Sequence, residues 1–440
     1  MRVRPYPTIF ARATFGPMHS DPSAQRILLV TFNWCPKGGV GTRRWSKFAK
    51  YLSRAGWHTD VVCGRYDGRD AVNWCHDVRD NARITSYPVA TGYPSFLLRP
   101  KRTFWVKAGH RVAQRLTHDI DHAQRWGKTA LRRVRELLDT HAYAAVVVSV
   151  GPFSPLRFVP DLKALAGGTP VIIDFRDPLR YIARGLPPGQ RDRINDWERA
   201  AIGAADHLFL STRENLTAYR QRFSLREGKC SVLTNGYDPD DFPPRTAEPI
   251  EEDYWTVVHP GSLAQGRHLA LIELLAALAE VNDPTLAAKF RVHLHTNSQI
   301  NSAMFPAEVQ APYAHYVAQR PVLPARQMIE KLARSRFGLT LNVAEHTLTI
   351  PSKTFDYLGL GQRIIYLGPL GEIPRALAGA GHYCAPIDRA EIIPLLRRLV
   401  AQERGPLQPR IDVPTATPFS LPSLTQQLIT VVRQVATERG

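Results

Sequence analysis

Four stretches of this 440-residue chain carry side chains with chemistry to offer. The first is FNWCPKGGVGTRRW, Phe32 to Trp45. Within it, KGGVGT is one lysine short of KGGVGKT, a loop that cradles a nucleoside triphosphate. Gly41 is followed directly by Thr42, so the lysine that would reach the β- and γ-phosphates is absent and a P-loop ATPase is rejected. What remains is a glycine turn, in which Gly38, Gly39 and Gly41 let backbone approach a ligand closely. Arg43 and Arg44 follow, either to meet an anionic acceptor or as solvated helix cations. The second stretch, VIIDFRDPL, sets Asp174, Arg176 and Asp177 at the end of an apolar run. One carboxylate there could position a hydroxyl or act as a base; alternatively the two acids simply hold Arg176. The third, HPGSLAQGR, contains His259, Gly261, Ser262 and Arg267. The fourth, PSKTFDYLGLG, places Lys353 and Asp356 one helical turn apart, close enough for an ion pair. His259 is read as structural. DPDD, Asp238 to Asp241, lies in a Pro-rich stretch and is not read as a metal-binding D-x-D motif.

These stretches fall at the joints of alternating strand and helix patterns. RILLVTF is a strand, and Trp45, Phe48, Ala49 and Leu52 then mark one helix face before the strand TDVVC. Such a βαβ unit favours a parallel sheet covered by helices. Strands are expected at 144–150, 171–175, 207–211 and 230–236, with helices between them. A second series follows, with strands at 255–261, 290–296, 337–343 and 363–368. The fold class is therefore α/β: two Rossmann-like, doubly wound halves facing a cleft, with ligands beyond the carboxyl ends of the strands. The expected organisation is a loose basic leader over 1–25, a first domain over 26–238 and a linker over 239–253. A second domain over 254–415 and a closing helix over 416–440 complete it.

Composition narrows the partners. Apolar residues make up 44% of the chain, enough for real cores. No run approaches the roughly 18–20 apolar residues that cross a bilayer, and the N-terminus is not read as a signal peptide. Five scattered cysteines suggest neither a disulfide framework nor zinc, which fits a reducing cytoplasm. A net charge of +18 points to a polyanionic partner. Arg99 to Arg135 holds eleven Lys/Arg against two acids, interleaved with aromatics. That segment is either a patch for an anionic membrane surface or a solvated helix face with core aromatics. No nucleic-acid recognition motif is present.

Six motifs in order resemble glycosyltransferase family 4-like enzymes of the GT-B fold, bacterial sugar transferases. They are the glycine loop with its helix, VVVSVGPFSPLRFVPDLKAL, VIIDFRDPL, VLTNGYDPDDF, HPGSLAQGR and IPSKTFDYLGLGQRIIYLG. The resemblance implies transfer of a sugar from a nucleotide-sugar co-substrate to a hydroxyl acceptor, whether glycan, lipid-linked or small molecule. It further implies retention of configuration, no metal and no other cofactor, and a role in polysaccharide biosynthesis on the cytoplasmic side, peripheral to the membrane. Without a metal, the departing diphosphate must be met by cations and backbone N–H groups. Arg267 and Lys353 suit that task, Gly261 and Ser262 are candidates to bring N–H groups, and Asp356 takes the ribose hydroxyls. Gly38 and Gly39 border the donor. Asp174 or Asp177 would serve the acceptor hydroxyl, and Arg43, Arg44 and Arg176 face the acceptor or membrane side. The chain departs from the pattern where Leu348 and Asp356 replace glutamates and Arg363 replaces proline. Those departures motivate an alternative, a non-catalytic GT-B-like protein that binds a glycan or a partner.

Overall fold

The computed structural model describes residues 25–37, 39–66, 74–93, 119–243, 254–298, 300, 305–403 and 414–438. Residues 1–24 of the leader, Gly38, residues 99–118 of the basic segment and residues 244–253 of the expected linker lie outside them.

Two all-parallel sheets organise the described chain. The first has seven strands in the order β3-β2-β1-β4-β5-β6-β7, with β1 at Arg26–Thr31, β2 at His58–Gly64 and β3 at Ile84–Val89. Its remaining strands are β4 at Ala145–Val150, β5 at Val171–Phe175, β6 at His207–Leu210 and β7 at Cys230–Val232. The second has six in the order β10-β9-β8-β11-β12-β13. These are β8 at Trp255–Pro260, β9 at Phe290–His295, β10 at Val317–Arg320, β11 at Phe337–Leu341, β12 at Arg363–Leu367 and β13 at Tyr383–Ala385. Helices cover both faces, so the central strands are buried along their whole length rather than on alternate residues; all six residues of β4 are buried. The expected α/β fold of two doubly wound units is what the chain adopts.

The strand order decides where ligands can enter. Chain direction across the first sheet reverses between β1 and β4, and across the second between β8 and β11. Such switch points open crevices beyond the strand carboxyl ends. The glycine loop follows β1, the Gly151 turn follows β4, the GSLAQGR loop follows β8 and the segment leading to Lys353 follows β11. Helix Lys353–Gly359 is held down by Tyr357, whose hydroxyl donates to the Leu339 carbonyl at 3.0 Å. Gly338 in β11 permits this, because a Cβ there would lie 2.4 Å from the Tyr357 ring.

The chain's two joints are placed, and one expectation, that of the cysteines, is corrected. The closing helix, Leu421–Thr437, returns to the first domain and packs Leu424, Leu428 and Val432 beside Trp45 and Phe48 of helix α1, Val40–Arg54. Residues 239–241, at the start of the expected linker, form a docked 3-10 turn beginning beside the buried Asp238. Cys35 and Cys75 form a disulfide across 40 residues, with their Cα atoms 5.6 Å apart, leaving Cys63, Cys230 and Cys384 free. Disulfides persist mainly in oxidising compartments, so the cysteine argument for a reducing cytoplasm falls. Their spacing gave no sign of it, because only the fold brings the glycine loop to the Cys75 turn.

Candidate active site

The HPGSLAQGR and PSKTFDYLGLG motifs converge at the switch point of the second sheet. His259, near the end of β8, is fully buried. Its Nδ1 lies 2.9 Å from the Leu339 carbonyl, which can only accept, so Nδ1 carries the proton. Nε2 is then a bare acceptor for the Lys353 ammonium at 3.1 Å. Burial, and then the Lys353 charge, hold the imidazole neutral by pushing its pKa well below the usual histidine range. Lys353 begins its helix beneath Gly261, where a Cβ would come within 3.3 Å of Nζ. Among the described residues it pairs with no carboxylate. Burial, helped by the Arg267 charge, pushes its ammonium down to about 7.

Arg267 opens helix Arg267–Val281, and its guanidinium reaches the Ala264 carbonyl at 3.2 Å and the Gln265 amide oxygen at 3.3 Å. Burial lowers its pKa, an effect that the Asp177 carboxylate across the cleft partly offsets. Gly261 turns the chain at φ +118°, but its N–H donates to the His295 carbonyl at 2.9 Å, so it is spent on the sheet and not offered to a phosphate. Ser262 is exposed and its hydroxyl accepts from the Ala264 N–H at 3.0 Å.

On the facing domain the site is built around Arg176. Its guanidinium fills the space left by two glycines: a Cβ at Gly41 would stand 2.6 Å from it and one at Gly151 2.8 Å. Its contacts are long, 3.4 Å to the Gly151 carbonyl and 3.3 Å to Asp177, whose side chain is 51% exposed. Asn33 braces this floor by donating to the Gly151 carbonyl at 2.8 Å, and Lys37 donates to Asn33 at 2.7 Å. Gly39, at φ +105°, is exposed and has open space around it.

Four expected site residues serve elsewhere. Asp174 is completely buried and accepts two hydrogen bonds from Arg44, at 3.0 and 2.8 Å, and one from the Trp45 indole at 2.8 Å. It anchors α1 to β5 and has no path to an acceptor hydroxyl. Arg44 is correspondingly buried, and also donates to the carbonyls of Leu233 and Thr234. Arg43 is not solvated either; it forms a bidentate pair with Asp356 at 2.8 and 2.6 Å, bridging the two domains. Asp356 therefore does not pair with Lys353, and each of its oxygens already accepts a hydrogen bond from Arg43. The expectation failed because a helical face was read from one helix alone, while the partner comes from 313 residues away.

Further contacts join the domains beside the site. The Tyr181 ring stacks on His346 at 4.4 Å, its hydroxyl accepts from the Leu348 N–H at 2.7 Å, and Thr212 donates to the Leu348 carbonyl at 2.7 Å. Where a sugar-binding glutamate was expected, the chain thus has a buried leucine whose peptide is tied to the other domain. Asp238 accepts from Lys47 and Lys50, both at 2.7 Å, and from the Tyr51 hydroxyl. Burial opposes its charge, but these partners hold its carboxyl well below the usual range. One ligand atom each from His76, Asp77 and Asp241 lie within 4.8 Å of one another, a spacing suited to a cation. The Lys47 ammonium already bridges the two carboxylates at 2.7 and 2.6 Å. In the described part of the basic segment, Trp126 is a core residue packed edge-on against Phe32 and Phe158. Among the described residues no helix is long and apolar enough to cross a membrane.

Tyr181, Thr212 and His346 went unnoticed in the sequence. Nothing in their local pattern marks them, since each acts through a partner in the other domain. His259 had a signal, its place immediately before the Pro-Gly turn.

Residues 38–241 match the model of Glycosyltransferase Family 4. The whole chain is similar in fold to sucrose-phosphate synthase of Thermosynechococcus elongatus, with a TM-score of 0.64 at 13% identity, covering 94% of this chain and all of that one. It is also similar to HepE of Anabaena in complex with UDP, with a TM-score of 0.60 at 13% identity over 93% of this chain and 100% of that one. A third similar structure is α,α-trehalose 6-phosphate synthase of Burkholderia multivorans, with a TM-score of 0.60 at 13% identity over 94% and 98% of the two chains. No curated protein matches the chain.

Proposed function

From a GT-B architecture whose first half matches Glycosyltransferase Family 4, we infer that this chain moves a sugar from a nucleotide-sugar donor to a hydroxyl acceptor. One observation carries the reading: at the switch point of the second sheet Arg267 is near enough to act on the charge of Lys353, and Lys353 has a neutral imidazole rather than a carboxylate beside it. Two cations so placed can take up the charge that develops on a departing diphosphate, in a setting where desolvation strengthens the interaction. Lys353 also stands at a helix start, where the dipole favours an anion.

The acceptor side of this reading is Arg176 with Asp177. Arg176, held by long contacts, has hydrogen-bonding capacity to spare for an anionic group on the acceptor. Asp177, exposed beside it, can position the hydroxyl. Retention of configuration follows from the family resemblance, by front-face attack in which the departing phosphate helps to deprotonate the acceptor. So do metal-independence, the absence of another cofactor, a role in polysaccharide biosynthesis, and a cytoplasmic location peripheral to the membrane. HepE is described in complex with UDP, so UDP sugars are the first donors to test.

The Arg43–Asp356 pair favours the second reading, a glycan- or partner-binding protein without turnover, because it occupies the carboxylate expected to hold the ribose. A panel of nucleotide sugars screened by thermal shift separates the two, since a ligand that binds only the folded state raises its stability. Proton NMR of the product anomer then reads the stereochemistry. Stabilisation by one donor with release of its nucleoside diphosphate is expected; no stabilisation by any donor would overturn the transferase reading.

A further inference from the structure

A lysine ammonium buried at a phosphate site needs an acceptor to fix its direction. A carboxylate would fix it but cancel much of its charge, and an aliphatic neighbour would leave a buried donor unsatisfied at a cost. His259 offers a third solution. It is fully buried, and the main-chain carbonyl of Leu339, on the neighbouring strand β11, takes its Nδ1 proton at 2.9 Å. That bond leaves Nε2 as a lone pair with one direction, and the Lys353 ammonium lies along it at 3.1 Å. Because Gly261 has no side chain, Nζ lies directly beneath the loop that opens the cleft.

We propose that His259 is a positioning residue, a neutral acceptor locked in one tautomer that aims the Lys353 ammonium at the donor diphosphate without compensating its charge. The proposal rests on the reading of Lys353 as a diphosphate-binding cation. Two consequences distinguish it from a purely structural histidine. Removing the Nε2 lone pair weakens nucleoside diphosphate binding only while Lys353 is present. Supplying a different neutral acceptor at the same place restores much of it.

The test is calorimetric titration of UDP, and of the other nucleoside diphosphates in turn, into the full-length chain and its variants. His259→Phe is expected to weaken binding of the preferred diphosphate about tenfold, the worth of one hydrogen bond to a charged group. His259→Gln, whose amide oxygen can accept, is expected to recover most of that loss. In the Lys353→Ala background, His259→Phe is expected to have no further effect. Wild-type affinity in His259→Phe, or the same tenfold loss without Lys353, overturns the proposal. If Lys353→Ala itself binds every diphosphate as wild type does, the parent reading fails and this one with it. A loss in Lys353→Ala with none in His259→Phe defeats this one alone. Should the variants not fold, ¹⁵N NMR of the histidine side chains in the wild-type chain decides. A protonated Nδ1 with a bare Nε2 at His259 supports the proposal, and a protonated Nε2 overturns it.

Discussion

Arg43 and Asp356 face each other across the domain boundary in a two-pronged ion pair, with N–O distances of 2.8 and 2.6 Å. Asp356 sits where the family pattern has a glutamate for the nucleotide ribose. One methylene shorter, it accepts through both oxygens from a guanidinium of helix α1. The ribose hydroxyls are therefore not expected to gain a charged acceptor here. Titration should show UDP and 2′-deoxy-UDP binding within about threefold of one another, whereas a hydrogen bond to a free carboxylate is worth about tenfold or more. A tenfold preference for UDP would mean that Asp356 releases Arg43 on binding.

The same pair should couple the domains. Asp356→Asn leaves the buried Arg43 with only the looser Asp241 pair at 3.8 Å and is expected to cost about 3–5 kcal/mol in urea unfolding. Arg43→Met combined with Asp356→Leu should recover most of that loss, because an apolar pair of similar volume commonly replaces a buried ion pair at little cost. A double variant as unstable as the single one would show that the loss lies in packing rather than charge.

Nucleoside diphosphate affinity should fall with rising pH. Lys353 is held down to about 7 in the free protein by burial and by Arg267. A bound diphosphate favours its charged form and raises that value. Above about pH 7 binding must therefore bring a proton with it, and affinity should drop by up to about tenfold per pH unit. Lys353→Arg, charged throughout, should bind with a flatter profile. Calorimetry at pH 6, 7 and 8 reads both; identical profiles for the two proteins would remove Lys353 from the diphosphate.

Asp238 should govern stability at the domain joint. Its carboxyl is held low in the folded chain despite burial, so the stability it contributes is present above the unfolded value of about 3.9 and is lost as pH falls toward the folded one. Asp238→Asn is expected to cost about 3–5 kcal/mol at pH 7, with the gap to wild type narrowing below about pH 4. Urea unfolding at pH 7 and pH 3 measures this, and a gap independent of pH would contradict it.

Gly41→Ala should act on the acceptor and leave the donor alone. The added Cβ would stand 2.6 Å from the Arg176 guanidinium, which must swing away. Diphosphate affinity should stay within about twofold. Because a displacement of about 1 Å at such a group can cost a hundredfold, kcat/KM for the acceptor should fall by at least about tenfold. Equal losses for donor and acceptor would place Arg176 outside the acceptor site.

The fold was legible in the sequence, and so was the gathering of glycines and cations at its switch points, for a common reason. Strands such as RILLVT and AVVVSV announce themselves by four consecutive apolar residues, and the loops after β1, β8 and β11 carry glycines and cations at the switch points. Short strands such as Val317–Arg320 and Tyr383–Ala385 have too few residues to show a period and were missed. The roles of Arg43, Arg44, Asp174 and Asp356 could not be read, because charge type and local spacing do not reveal a partner from another domain or a distant strand. Each of the four looked like a site residue by position, and each is committed to a buried pair. His259 was the reverse case: a lone histidine judged structural, whose two nitrogens the fold assigns to a strand carbonyl and to Lys353.

The most direct measurement is steady-state turnover of the preferred nucleotide sugar by wild type, Arg267→Ala and Lys353→Ala, with folding of each checked by circular dichroism. Removing one charge-stabilising donor from a preorganised site costs about a hundredfold or more. A loss of that size in both folded variants is expected; near wild-type turnover in both would contradict the assignment of these two cations to the departing diphosphate.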